Sequence, residues 1–119
     1  MSYVDGFLVP VPNGNREAYL ALAAKAAPIF IEYGATRVVE AWEDDLKKGE
    51  VNDFHTAIIA EEGESAVFSW IEWPSREMRD SAWEKIMQDE RMKPDGDMPF
   101  VGKRLIWGGF KTIVEEGPK

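Results

Sequence analysis

Apolar residues along this chain change period several times, and each change marks an element. "SYVDGFLVPVP", residues 2 to 12, alternates and predicts a first strand, ended by Pro10 and Pro12, which cannot donate to a ladder. In "NGNREAYLALAAKAAPIFIEYG", Tyr19, Leu22, Ala26, Ile29 and Tyr33 recur at three and four residues and make one helical stripe. Asn13 or Asn15 is positioned to cap that helix, and Gly34 to end it. Pro28 removes one backbone bond inside it, which predicts a kink or a tight last turn. "ATRVVEAWED" returns to alternation and predicts the second strand.

Residues 43 to 64 are polar and acidic and read as an insertion. Within it "DFHTAIIA" spaces Phe54, Ala57 and Ile58 for a short helix capped by Asn52 or Asp53, although "TAIIA" also suits a strand. "SAVFSWIEW" predicts the third strand, stopped by Pro74. Ser75 caps a second long helix, "REMRDSAWEKIMQDE", with Met78, Ala82, Trp83, Ile86 and Met87 inward. The turn-rich "RMKPDGDMPFVG" leads to a last strand, "KRLIWGGFKTIV", and a frayed tail. Strand, helix, strand, insertion, strand, helix, strand is the split pattern of a ferredoxin-like α+β sandwich. No repeat or linker divides the chain, so residues 1 to 119 are expected to form one domain.

Two helices cover one face of such a sheet. A consistent assignment puts Val4, Gly6, Leu8, Val39, Ala41, Val67, Ser69, Ile71, Trp73, Leu105, Trp107 and Gly109 under the helices. The other face then carries Tyr3, Asp5, Phe7, Val9, Val38, Glu40, Trp42, Phe68, Trp70, Glu72, Arg104, Ile106 and Phe110. A monomer seldom exposes an apolar patch of that size, so a second copy, packed sheet to sheet about a two-fold axis, is the expected cover. Asp5, Glu40, Glu72 and Arg104 would then point into the enclosed space, with Arg104 in reach of Asp5. They form either a structural ion-pair network or a pocket.

Composition narrows the chemistry. The absence of cysteine removes disulfides and thiolate metal sites. A net charge of −8 with no basic stripe argues against nucleic acid and anionic membranes as partners. The N-terminus lacks the pattern of a secretory signal, and no run is long enough for a membrane helix, so a cytoplasmic location is expected. "GDMPFVGKR" departs from a phosphate-binding loop in spacing and lacks the serine or threonine that holds magnesium. "PDGD" is too short for a calcium loop. His55 is the single histidine; it could ligate haem iron or sit half-buried on its short helix.

The segments "YVDGFLVPVP", "FSWIEWPS", "DMPFVGKR" and "GGF" resemble the YbaA-like family of small bacterial proteins of unknown function. The resemblance spans nearly the whole chain. It implies the dimeric α/β-barrel superfamily, in which two ferredoxin-like subunits pack sheet against sheet and whose members include cofactor-free monooxygenases, haem enzymes, isomerases and ligand-sensing domains. Fold does not choose among these. The motif residues able to act here are Asp5, Trp70, Glu72, Asp97 and Arg104; His55 lies outside the motifs. The expected function is either an enzyme on a small organic acid or aromatic substrate, without a tightly bound cofactor or metal, or a non-catalytic small-molecule-binding or stress-accessory dimer. A purely structural dimer is the third reading. In the enzyme reading Arg104 holds an anionic group, Asp5 or Glu72 is the general base, and Trp42 and Trp70 are the walls, with Glu40 beside them.

Overall fold

A computed structural model describes residues 2–94 and 96–118. Four strands, β1 (Tyr3–Pro12), β2 (Arg37–Trp42), β3 (Glu64–Trp73) and β4 (Ile106–Lys111), form one antiparallel sheet in the order β2-β3-β1-β4. Helices α1 (Arg16–Glu32) and α3 (Arg76–Ile86) lie on one face, and the short α2 (Phe54–Ala57) belongs to the insertion between β2 and β3. This is the expected ferredoxin-like α+β sandwich. No described helix is long and apolar enough to cross a membrane.

Local signals explain most boundaries. Ser75 caps α3 by accepting from the Met78 amide. Asp53 and Thr56 form a reciprocal capping box on α2, which decides for helix in a segment that also suited a strand. Pro28 sits inside α1, whose end tightens: the Tyr33 amide donates to the carbonyls of Ile29 and Phe30, and the Ala35 amide to Phe30. Gly34, at φ 115°, permits that ending. Asn15 makes no capping bond; its amide nitrogen donates instead to the Pro99 carbonyl.

β1 ends at Pro12, as the sequence reading expects, but runs through Pro10, which does not end it. β4 pairs with β1 only as far as Leu8, while β3 pairs with it through Pro12. Beyond Leu8 one side of β1 is a free edge. The Val101 amide donates to the Pro10 carbonyl, so the backbone at Pro10 faces that edge and its missing N–H is not needed.

The pairing also corrects the face assignment. Tyr3, Asp5, Phe7 and Val9 lie opposite Trp73, Ile71, Ser69 and Val67, and Val38, Glu40 and Trp42 lie opposite Ile71, Ser69 and Val67. β1 and β2 therefore turn these residues toward the helices, the reverse of the expectation, whereas β3 and β4 are oriented as expected. Both sides of β1 are apolar, so alternation alone did not choose between them. The core confirms the register: Phe30, Ile71, Trp73, Ala82 and Ile86 form one cluster, and Val9, Val11, Tyr19 and Val67 a second.

The insertion covers one end of the other face, where Ile58 packs on Leu8 and Ala66, with Leu46 and Ala60 beside them. The remaining part of that face is open. Phe68, Ile106 and Phe110 are 46%, 47% and 63% exposed there.

Candidate functional site

Asp5 is 0% exposed, yet its carboxylate is fully served. Arg79 donates to Oδ1 through Nη2 at 2.7 Å and through Nε at 3.0 Å. The indole N–H groups of Trp73 and Trp83 each donate to Oδ2 at 2.9 Å. Arg79 and Trp83 stand four residues apart on α3, so one helix face supplies both donors. Gly109 of β4 lies opposite Asp5, and a Cβ there would run into the Tyr3 ring and hydroxyl and come within 2.8 Å of Arg79 Nη2. Glycine leaves the room that the Tyr3 ring and the guanidinium share beside the carboxylate. The Asp5 carboxylate in turn holds Arg79 well above the usual arginine value.

A second polar pair sits toward the other end of the helix face. The buried Tyr19 hydroxyl of α1 donates to Glu40 Oε1 at 2.7 Å. Burial, then the nearby Glu40 charge, push the phenol far above its ordinary value. Glu40 is itself raised by desolvation, which outweighs hydrogen bonds from Tyr19 and Ser69. Trp42 packs against the cluster around Val9, with the Arg16 guanidinium 5.4 Å from its ring.

Arg104 precedes β4 in a turn and lies far from the role expected of it. It grips Glu64 with two nitrogens, Nη1 to Oε1 at 2.8 Å and Nη2 to Oε2 at 2.7 Å. Nη1 also donates to the Ile59 carbonyl at 2.8 Å. Ile59 has φ 50°, an uncommon conformation for a β-branched residue, and the arginine holds the turn that contains it. Arg104 draws Glu64 below the ordinary carboxylate range. Its predicted contact with Asp5 is absent because Asp5 faces the helices and Arg104 is bound to the insertion.

Of the six residues singled out in the sequence, Trp70 and Glu72 alone share the open face. The Trp70 indole donates to Glu72 Oε2 at 2.9 Å, and Phe68 stands edge-on to Trp70 at 5.6 Å. Phe54 of α2 approaches Phe68 at 6.1 Å, extending the aromatic line onto the insertion. Arg37 of β2 is opposite Glu72 in the ladder. Asp97, the remaining motif residue, is exposed in the loop before β4. His55 bonds Glu43 Oε1 at 2.8 Å and is part of the insertion. Among the described residues no three histidine, aspartate or glutamate side chains gather as a metal site.

Sequence reasoning missed Arg79 as the partner of Asp5. The signal was present: Arg79 and the inward Trp83 are separated by one helical turn, so an inward Trp83 brings Arg79 to the sheet as well.

Comparison with known proteins agrees with the fold. A crystal structure from Bacillus cereus, provisionally assigned as an antibiotic-biosynthesis monooxygenase, superposes with a TM-score of 0.53 at 12% identity, covering 99% of this chain and 97% of that one. At that identity the likeness concerns the fold alone. The "Uncharacterized protein YbaA" of Escherichia coli K12 is 56% identical over 117 residues, 98% of this chain and 100% of the relative. The protein of the same description from Shigella flexneri shows the same identity and coverage. A family model described as "Protein of unknown function (DUF1428)" matches residues 2–102. With a full-length match to YbaA proteins and a family model over most of its length, the chain belongs to the DUF1428 family.

Proposed function

We propose that the protein is a homodimer that binds a small aromatic molecule between its two sheets. The observation that carries this reading is the open face itself: exposed Phe68, Ile106 and Phe110 flank the half-buried Trp70 and Glu72. A contiguous apolar surface of this kind calls for a cover. A second copy supplies one with matched chemistry, since each face offers both Arg37 and Glu72 to its two-fold mate. Trp70 then serves as a wall and Glu72 as a hydrogen-bond acceptor for the bound molecule.

An organic acid is the poorer fit. Arg104, the expected anion anchor, is neutralised by Glu64, and Arg79 by Asp5, while Arg37, the cation on the open face, stands opposite Glu72. Asp5 is likewise a poor base, because its lone pairs are occupied by indole and guanidinium donors. Binding without turnover is therefore the first reading. Glu72 favours a second, proton abstraction from the bound molecule, because Trp70 occupies only one of its carboxylate oxygens.

Thermal unfolding with indole, 1-naphthol and benzoate tests the site. Stabilisation by the neutral aromatics, abolished in Trp70→Leu, is expected. Stabilisation by benzoate alone, or an undiminished effect in Trp70→Leu, contradicts the proposal. For the second reading, Glu72→Gln, whose amide oxygen still accepts a hydrogen bond, is expected to bind more weakly than wild type and to stop solvent deuterium entering the bound ligand.

A further inference from the structure

A separate groove lies on the helix side, at the β4 edge, away from the open face. Arg79, Asp80, Trp83, Glu84, Met87 and Trp107 line a shallow hollow of about 290 Å³ that is largely open to water. Trp107 faces the helices by register, opposite Phe7, and stacks on it at 6.0 Å with 15° between the planes. It also meets Trp83 at 6.3 Å. Despite these two neighbours it remains 59% exposed, and Met87 beside it is 74% exposed. An indole with two aromatic neighbours and more than half its area open to water is an aromatic platform.

The platform is already one used by a cation. The Arg79 guanidinium lies 6.0 Å from the Trp107 ring and 5.1 Å from Tyr3. Its charge does not repel a second cation strongly, because Asp5 and Asp80 are both paired with it. Across the groove's charged residues and Asp5, one positive charge stands against three negative ones, Asp5, Asp80 and Glu84. Arg76, 3.6 Å from Asp80, offsets part of this from outside the hollow. An anion meets two carboxylates at the rim; an organic cation meets an aromatic floor and opposite charge.

We propose that this groove binds a small organic cation of the aromatic or quaternary-ammonium kind, seated on Trp107 and Trp83 and facing Asp80 and Glu84. Met87, just beyond the end of α3, closes on the apolar part of the ligand.

Benzyltrimethylammonium, with benzyl alcohol and benzoate as neutral and anionic controls, tests this on the full chain by tryptophan fluorescence and by amide shifts in NMR spectra. Saturable binding of one cation per chain is expected, about three- to fivefold tighter than benzyl alcohol, with benzoate weakest. Trp107→Leu is expected to abolish it. Glu84→Gln, on the exposed helix surface, is expected to weaken the cation severalfold, leave benzyl alcohol unchanged and keep the melting temperature. Trp70→Leu, which removes the wall of the inter-sheet site, is expected to leave cation binding intact. Absence of saturation, benzoate binding equal to the cation, or an unaltered cation affinity in Glu84→Gln overturns the proposal. Loss of cation binding in Trp70→Leu would place the ligand between the sheets and also overturn it.

Discussion

The Arg79 guanidinium reaches across Gly109 to hold Asp5 through Nη2 and Nε at 2.7 and 3.0 Å. That contact joins α3 to the centre of the sheet and turns a fully buried carboxylate into a fold determinant. Removing one partner of such a pair leaves the other without compensation.

Asp5→Asn is therefore expected to lower stability by about 3 kcal/mol, measured by urea unfolding. Asparagine keeps the shape but sets a donor against Arg79, Trp73 and Trp83. Gly109→Ala is expected to destabilise as well, because the added Cβ meets the Tyr3 ring and, beside it, the guanidinium. Unchanged unfolding midpoints in both variants would show that the pair does not hold the fold.

Arg104 ties the insertion to the sheet by way of Glu64 and the Ile59 carbonyl. Arg104→Ala is expected to speed amide exchange over residues 54–60 while the exchange of β1 and β3 stays slow. The pH dependence follows from Glu64, whose folded value is depressed by Arg104. Its contribution is present above the unfolded carboxylate value and is lost as pH falls through the folded one. Protection of the insertion should thus fade in acid in the wild type, and that acid-dependent fading should be absent from Arg104→Ala.

Tyr19 and Glu40 act in the opposite sense. Burial first, and then Glu40, raise the phenol from its ordinary 10.0. The proton is bound more tightly in the folded state, so this contribution is present below the unfolded phenol value and is lost as pH rises beyond it. Glu40 is also raised, so its contribution is present in acid and is lost as pH rises through the folded value. Tyr19→Phe is expected to cost about 1 kcal/mol at neutral pH, to reduce the alkaline loss of stability, and to raise Glu40 further by taking away a donor. Carboxyl carbon shifts of Glu40 during a pH titration check the last point; an unmoved midpoint would contradict it.

The order of elements was legible because the alternation of β3 and the caps at Asp53 and Ser75 are local signals. The faces of β1 and β2 were not, because Val4 and Leu8 are as apolar as Phe7 and Val9, and Asp5 looked like a solvent-facing residue. Only the long-range donors Trp73, Trp83 and Arg79 reverse that reading, and they lie 68 to 78 residues away. The same error misplaced Glu40 and Trp42. Trp70 and Glu72 were legible because β3 alternates without a break and Ile71 and Trp73 were assigned to the helices, which leaves Trp70 and Glu72 on the other side. Arg104 was read as part of a strand because "KRLIWGGF" continues smoothly into β4, whereas its bond to Glu64 keeps it in the preceding turn.

The sheet-to-sheet homodimer is the central claim, and solution mass tests it most directly. Light scattering at micromolar concentration is expected to give twice the 13.5 kDa of one chain. Phe110→Asp, which places a charge on the exposed apolar face that the proposed contact covers, is expected to return the mass to one chain with the fold retained by circular dichroism. A wild-type protein that remains at 13.5 kDa across that concentration range would contradict the dimer and, with it, the binding site enclosed between the sheets.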